Sequence, residues 1–243
     1  LIDSGGDKDA GRRVQKLLES NGWKLRFILN THSNADHVGG NALLQQRLMA
    51  PVYGSGLENS FISHPILEPS FLYEGYPCKA LRNKFLMAQP SSPLPLSEAP
   101  LPEGFQTVSL PGHFFEMVGF RTPDGVWFLA DCLSGEEILE KYAVVFLYDV
   151  SSYLETLERV SALRGRLFVP AHAPAAEDIR PLAERNRAKV LEICCRILDF
   201  CRTPSCFEDV LQKLFASYGL TMDWNQYALV GSTVRSYLSY LLD

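Results

Sequence analysis

Four of the five histidines in this 243-residue chain fall just after apolar, β-rich runs. His32 and His37 frame the run Thr31-His32-Ser33-Asn34-Ala35-Asp36-His37, directly before Gly39-Gly40. His113 follows Leu110-Pro111-Gly112, His172 follows Val169-Pro170-Ala171, and Asp131 follows Trp127 to Ala130. Open α/β folds gather their ligands at such strand ends. Imidazole nitrogens and carboxylates suit zinc, iron and manganese, so the chemistry these residue types point to is metal binding. In an extended segment residues two apart share a side, which lets His32, Asn34 and Asp36 converge and turns His37 towards a neighbouring ion. Asp131 can bridge two cations, and Gly39-Gly40 lets backbone pass close by. A lone histidine is more often a core or surface residue; the combination carries the reading.

The elements that must position these residues read β-α-β-loop-α-β over the first fifty-odd residues. They are a strand at Leu1 to Asp3, a helix over Asp7 to Asn21, a strand over Leu25 to Asn30, a helix over Val38 to Leu48 and a strand at Pro51 to Tyr53. From about Leu57 to Pro102 eight prolines and several aromatics break that rhythm. A long loop in a compact domain is more often a lid than a passive insertion, so a substrate-facing lid is expected at 57–102. His64 and Glu68 lie within it; a surface role is the bland expectation for His64, and a substitute ligand or substrate contact the sharper one for either. Strands are expected at Gln106 to Leu110, Met117 to Arg121 and Val126 to Ala130, the last two joined by the turn Thr122-Pro123-Asp124-Gly125. A helix over Tyr153 to Leu163 and a strand at Leu167 to Val169 follow, and from about Ala176 the pattern is helical in three segments. These elements define a domain at 1–175 and a C-terminal helical region at 176–243, in an α/β layered architecture.

With 47% hydrophobic and 21% charged residues the chain can bury a sizeable core. The longest apolar run, Ala143 to Tyr148, is too short to span a membrane. A net charge of −5 argues against a dedicated nucleic-acid binder. The six cysteines show no zinc-finger pairing and read as core thiols of a reducing, cytoplasmic compartment. Cys132, beside Asp131, is expected in the core rather than as a nucleophile. The chain opens on Leu1, inside an apparent strand, so further residues are expected upstream and a signal peptide there stays open.

Leu1-Ile2-Asp3-Ser4-Gly5, the His32 to His37 run, Gly112-His113, Ala130-Asp131 and Ala171-His172 together resemble the metallo-β-lactamase-fold superfamily of metallohydrolases, over about residues 1 to 175. The resemblance implies a four-layer αββα sandwich, its first strands lying before Leu1, with a dinuclear site. Carried over by position, it gives His32 and His113 to the first metal, Asp36, His37 and His172 to the second, Asp131 as the bridge and Asp3 as a residue behind the ligands. The family's usual run is His-x-His-x-Asp-His, and here Asn34 holds the second histidine's place. An amide oxygen is the weaker zinc ligand. Asn34 therefore ligates through oxygen or holds a water, or the second metal works alone, or the chain is a non-catalytic interaction module.

The expected function is a metal-dependent hydrolase in which a metal-activated hydroxide, oriented by Asp36, attacks a small-molecule ester, thioester or related substrate. One or two zinc ions are expected, with iron or manganese as alternatives. The acidic balance weakens a phosphodiesterase or nuclease reading, and Asp131, where the main zinc β-lactamases carry cysteine, weakens a lactamase one. Asn34, where flavodiiron proteins carry glutamate, weakens an oxygen-reducing role. Thr203 to Asp243 resembles a winged-helix appendage cut before its wing. Three basic against four acidic residues from Arg202 onward favour packing or homodimer formation over reading DNA.

Overall fold

The computed structural model describes residues 1–243, and the chain divides into two units. The first comprises residues 1–103 together with 116–118, and the second residues 104–115 and 119–243.

The first unit opens with helix α1 (Lys8–Asn21), started by the Asp7 carboxylate accepting from the N–H groups of Asp9 and Ala10. It ends at Gly22, whose φ of 66° suits a residue without a Cβ. Strand β1 (Ile28–Leu29), the single turn α2 (Ala35–Val38), helix α3 (Asn41–Leu48) and strand β2 (Val52–Gly54) follow. Helices α4 (Gly56–Ser63) and α5 (Leu67–Tyr73) and strand β3 (Pro93–Pro95) complete the unit's labelled elements. The sheet runs β1-β2-β3, all parallel, and Ile28, Val52 and Leu44 form a dry core that Val14, Leu25, Leu43 and Leu48 close.

Three expectations change here. The 57–102 stretch is not a structureless loop. Pro69 sits in the first turn of α5, where a missing N–H costs nothing, and the Pro-Leu-Pro strand β3 is tolerated because it lies at the sheet edge. Nor is the ligand run extended throughout. It coils into α2 at Ala35, so alternation along a strand does not decide where Asp36 and His37 point. The N-terminal strand shrinks to a bridge between Ile2 and Leu29.

The second unit is built on the sheet β4-β5-β6-β7, from Gln106–Ser109, Val118–Arg121, Val126–Ser134 and Leu167–His172. The expected hairpin joins β5 and β6, with Gly125 at φ 84° and its N–H donating to Thr122 O at 2.9 Å. Strands β6 and β7 are parallel, and their register slips on both sides of Ala130, which stands at φ 51°. Asp131 is therefore not the end of a strand. It lies inside β6, just beyond an irregularity that re-aims the chain.

Helices α6 (Glu136–Tyr142), α7 (Val150–Ala162), α8 (Arg180–Phe200), α9 (Phe207–Tyr218) and α10 (Trp224–Leu242) complete this unit. Buried Asn186 of α8 ties the unit together. Its amide nitrogen donates to Ser134 O and Leu182 O, and its oxygen accepts from Ser134 N–H and the Tyr153 hydroxyl. The stretches expected to be helical after Thr203 are α9 and α10, which bury Val210, Leu211, Leu214, Val230 and Val234. No cysteine is bridged, but only Cys132 and Cys194 are buried, while Cys195, Cys201 and Cys206 are exposed. No helix is long and apolar enough to cross a membrane.

Candidate metal centre

In the first unit the chain from β1 into α2 carries His32, Asn34, Asp36 and His37. Gly39 and Gly40 allow that path: a Cβ on Gly39 would lie 2.3 Å from the Gly6 carbonyl carbon, and one on Gly40 2.5 Å from Ser4 O. Asp3 organises the histidines. Its carboxylate accepts the Thr31 backbone N–H at 2.9 Å, the Thr31 hydroxyl at 2.8 Å and His37 Nδ1–H at 2.8 Å. With the Thr31 hydroxyl proton given to Asp3, its oxygen accepts Nδ1–H of His32 at 2.9 Å. One carboxylate thus fixes two imidazoles, one directly and one through a hydroxyl, and both keep their lone pair on Nε2. The two rings lie 4.1 Å apart, and His37 Nε2 is 3.7 Å from Asp36 Oδ2. Both histidines are buried, whereas the Asp36 carboxylate is half exposed.

Two buried glutamates support this loop. Glu58 accepts from Ser33 N–H at 3.0 Å, Ser33 hydroxyl at 2.5 Å and Glu116 N–H at 2.8 Å. Burial pushes its carboxyl up to about 7, against the pull of those three hydrogen bonds. Glu68, on α5, accepts from the Asn34 amide at 2.8 Å. Burial, aided by the charges of Asp36 and Glu58, raises it well above the usual carboxylate range. His64 is exposed at the end of α4, in a surface cavity with Pro65, Ile66, Arg82 and Lys84. Of the two residues singled out in the 57–102 stretch, Glu68 reaches the ligand run. Glu58 carried no sequence signal beyond being one charge among many.

In the second unit His113 and His172 converge on Asp131. Their Nε2 atoms lie 3.6 and 3.2 Å from the same carboxylate oxygen, Oδ2. His113 donates Nδ1–H to Phe146 O at 3.1 Å, which fixes its tautomer as Asp3 fixes that of His37. Gly112, at φ 116°, turns the chain there; a Cβ would meet Tyr153 N at 2.3 Å. Cys132, next to Asp131, is fully buried and its thiol is raised far above the ordinary range, which excludes a thiolate nucleophile.

In each unit at least one imidazole whose Nδ1 is held by a partner turns its Nε2 towards a carboxylate: His37 beside Asp36 in the first, His113 beside Asp131 in the second. That donor set fits a divalent transition metal.

Residues 1–172 match the family model described as metallo-beta-lactamase superfamily. The chain belongs to the metallo-β-lactamase superfamily. It is classed with that superfamily's metal-dependent hydrolases. A metallo-beta-lactamase family protein from Thermus thermophilus matches 99% of this chain and 83% of its own, at 22% identity and a TM-score of 0.73. TTHA1623, solved in a di-iron-bound form, matches 76% of this chain and 85% of its own, at 27% identity and a TM-score of 0.54. A hydroxyacylglutathione hydrolase from Pelagibacter ubique (strain HTCC1062) is 44% identical over 48 residues, about a fifth of either chain. These likenesses show the fold, an αββα sandwich with a helical C-terminal region. Asn34 departs from the superfamily's usual His-x-His-x-Asp-His run.

Proposed function

We propose that this chain hydrolyses a small-molecule ester or thioester with two metal ions. His32, Asn34 and His113 serve the first ion, Asp36, His37 and His172 the second, and Asp131 both. The carrying observation is the convergence of two imidazole Nε2 atoms on one oxygen of Asp131, with His113 locked from behind. Bound divalent cations supply Lewis acidity and lower the pKa of water towards about 7. The chain's own contribution is to hold the imidazoles oriented and to place a half-exposed carboxylate, Asp36, where it orients water and accepts its proton. The thioester class draws on the partial likeness to a hydroxyacylglutathione hydrolase. Zinc, iron and manganese remain the candidates, and the likeness to a di-iron-bound structure supports iron among them.

Free thiols throughout accord with a reducing, cytoplasmic compartment, and the acidic C-terminal helices suit packing against a second copy better than nucleic acid. The region 57–102 is the proposed lid of the 1–175 domain, with 176–243 as the helical region. Asn34 keeps one other reading alive, an interaction module without chemistry.

Elemental analysis of the chain, as purified and after incubation with zinc, iron or manganese, separates them. About two ions per chain, with ester or thioester turnover lost on chelation and in Asp131→Ala, is the expected result. No bound metal after reconstitution refutes the hydrolase reading.

A further inference from the structure

Asn34 stands where the run would ordinarily carry an imidazole, and its amide is held. Nδ2 donates to Glu68 Oε1 at 2.8 Å, from a residue 34 positions further along the chain. An amide can serve a cation only through its oxygen, and the partner of its NH2 group sets which way that oxygen faces. Oε1 accepts in that bond, with or without a proton on the other oxygen of the carboxyl, so Glu68 defines the sense of the amide. The same relation recurs at the imidazoles, where Asp3 holds the non-ligating nitrogen of His37, Thr31 that of His32, and the Phe146 carbonyl that of His113. Glu68 is also buried on α5, at a position where packing alone would be served by an apolar residue at no desolvation cost.

We propose that Glu68 is a positioning residue that makes Asn34 Oδ1 a ligand of the first ion, giving that site an added oxygen donor and a narrower margin for zinc over manganese than a histidine at position 34 would give. This rests on the metal-binding reading above. Imidazole favours zinc, whereas carbonyl-type oxygen suits manganese, so the exchange changes selectivity as well as strength.

Equilibrium dialysis of the metal-free full chain against manganese or zinc, read by elemental analysis, tests it without any substrate. Glu68→Leu should weaken one of the two ions by about 10–100-fold and leave the other unchanged. Glu68→Gln, whose side-chain oxygen still accepts from Asn34, should stay within about threefold of the native chain, a rescue that lost packing does not predict. Asn34→Ala combined with Glu68→Leu should be no weaker than Asn34→Ala alone, because the two act as one unit. Asn34→His should widen the zinc-to-manganese ratio at that ion by about tenfold or more.

Native binding of both ions in Glu68→Leu, or additive losses in the double variant, would overturn the inference while leaving the hydrolase reading intact. Should Glu68→Leu fail to fold, an Asn34→Ala chain that keeps both ions at native affinity overturns it equally. A native chain that takes up no metal overturns both.

Discussion

Glu58 gives the chain a pH dependence that can be worked out from its surroundings. Its carboxyl is buried, accepts from Ser33 and Glu116, and stands at about 7 in the folded chain against 4.5 unperturbed. The folded pKa is raised, so the folded chain holds this proton more tightly than the unfolded one. The stability it contributes is complete below pH 4.5 and is lost as pH rises through 7. At about 1.4 kcal/mol per unit, that window amounts to about 3 kcal/mol. Urea unfolding of the metal-free chain, followed by far-UV circular dichroism between pH 4.5 and 8, is compared with the same series for Glu58→Gln. Glutamine removes the titration and leaves the other carboxyls, Glu68 included, in both series. The native-minus-variant stability should fall by about 3 kcal/mol across the window and then level off. A difference that stays flat or rises with pH would refute the reasoning.

Three further outcomes follow from named contacts. Thr31→Val removes the hydroxyl that fixes His32 but spares the direct Asp3–His37 bond, so one ion should weaken by about 10–100-fold in dialysis, whereas Asp3→Ala should weaken both. Asn186→Ala strands the Tyr153 hydroxyl and both backbone groups of Ser134, and should cost about 3 kcal/mol or more in urea unfolding. Gly39→Ala drives a methyl into the Gly6 backbone, where nothing can swing aside, and should leave little soluble folded chain on size-exclusion chromatography.

The candidate ligand types were legible because their chemistry is carried by identity. Histidine and aspartate after apolar runs signal a site wherever the run ends, and His113 and His172 do meet on Asp131. Their local geometry was less legible. Alternation along an extended chain failed at Ala35, where helix begins before the run reaches Asp36 and His37, and Asp131 proved to lie within a strand that continues to Ser134. Prolines misled in 57–102, since proline forbids a helix interior but not a first turn or a sheet edge. Glu58 and Asn186 were invisible, and Glu68 was legible only as a residue that could reach the site, not as the acceptor that holds Asn34. Whether a polar side chain is buried depends on partners far along the chain, such as Glu116 for Glu58 and Ser134 for Asn186.

The first unit borrows residues 116–118 from beyond position 103, and this sets an order of events during synthesis. Glu116 supplies an N–H that Glu58 accepts, and Val118 N–H donates to Thr31 O at 2.9 Å. Domains fold as units, N-terminal first, while the chain leaves the ribosome. Here the nascent first unit has its sheet and its five helices in hand before it has those two donors. The ligand loop is therefore finished only once residue 118 has emerged, so it matures late in a unit that begins early.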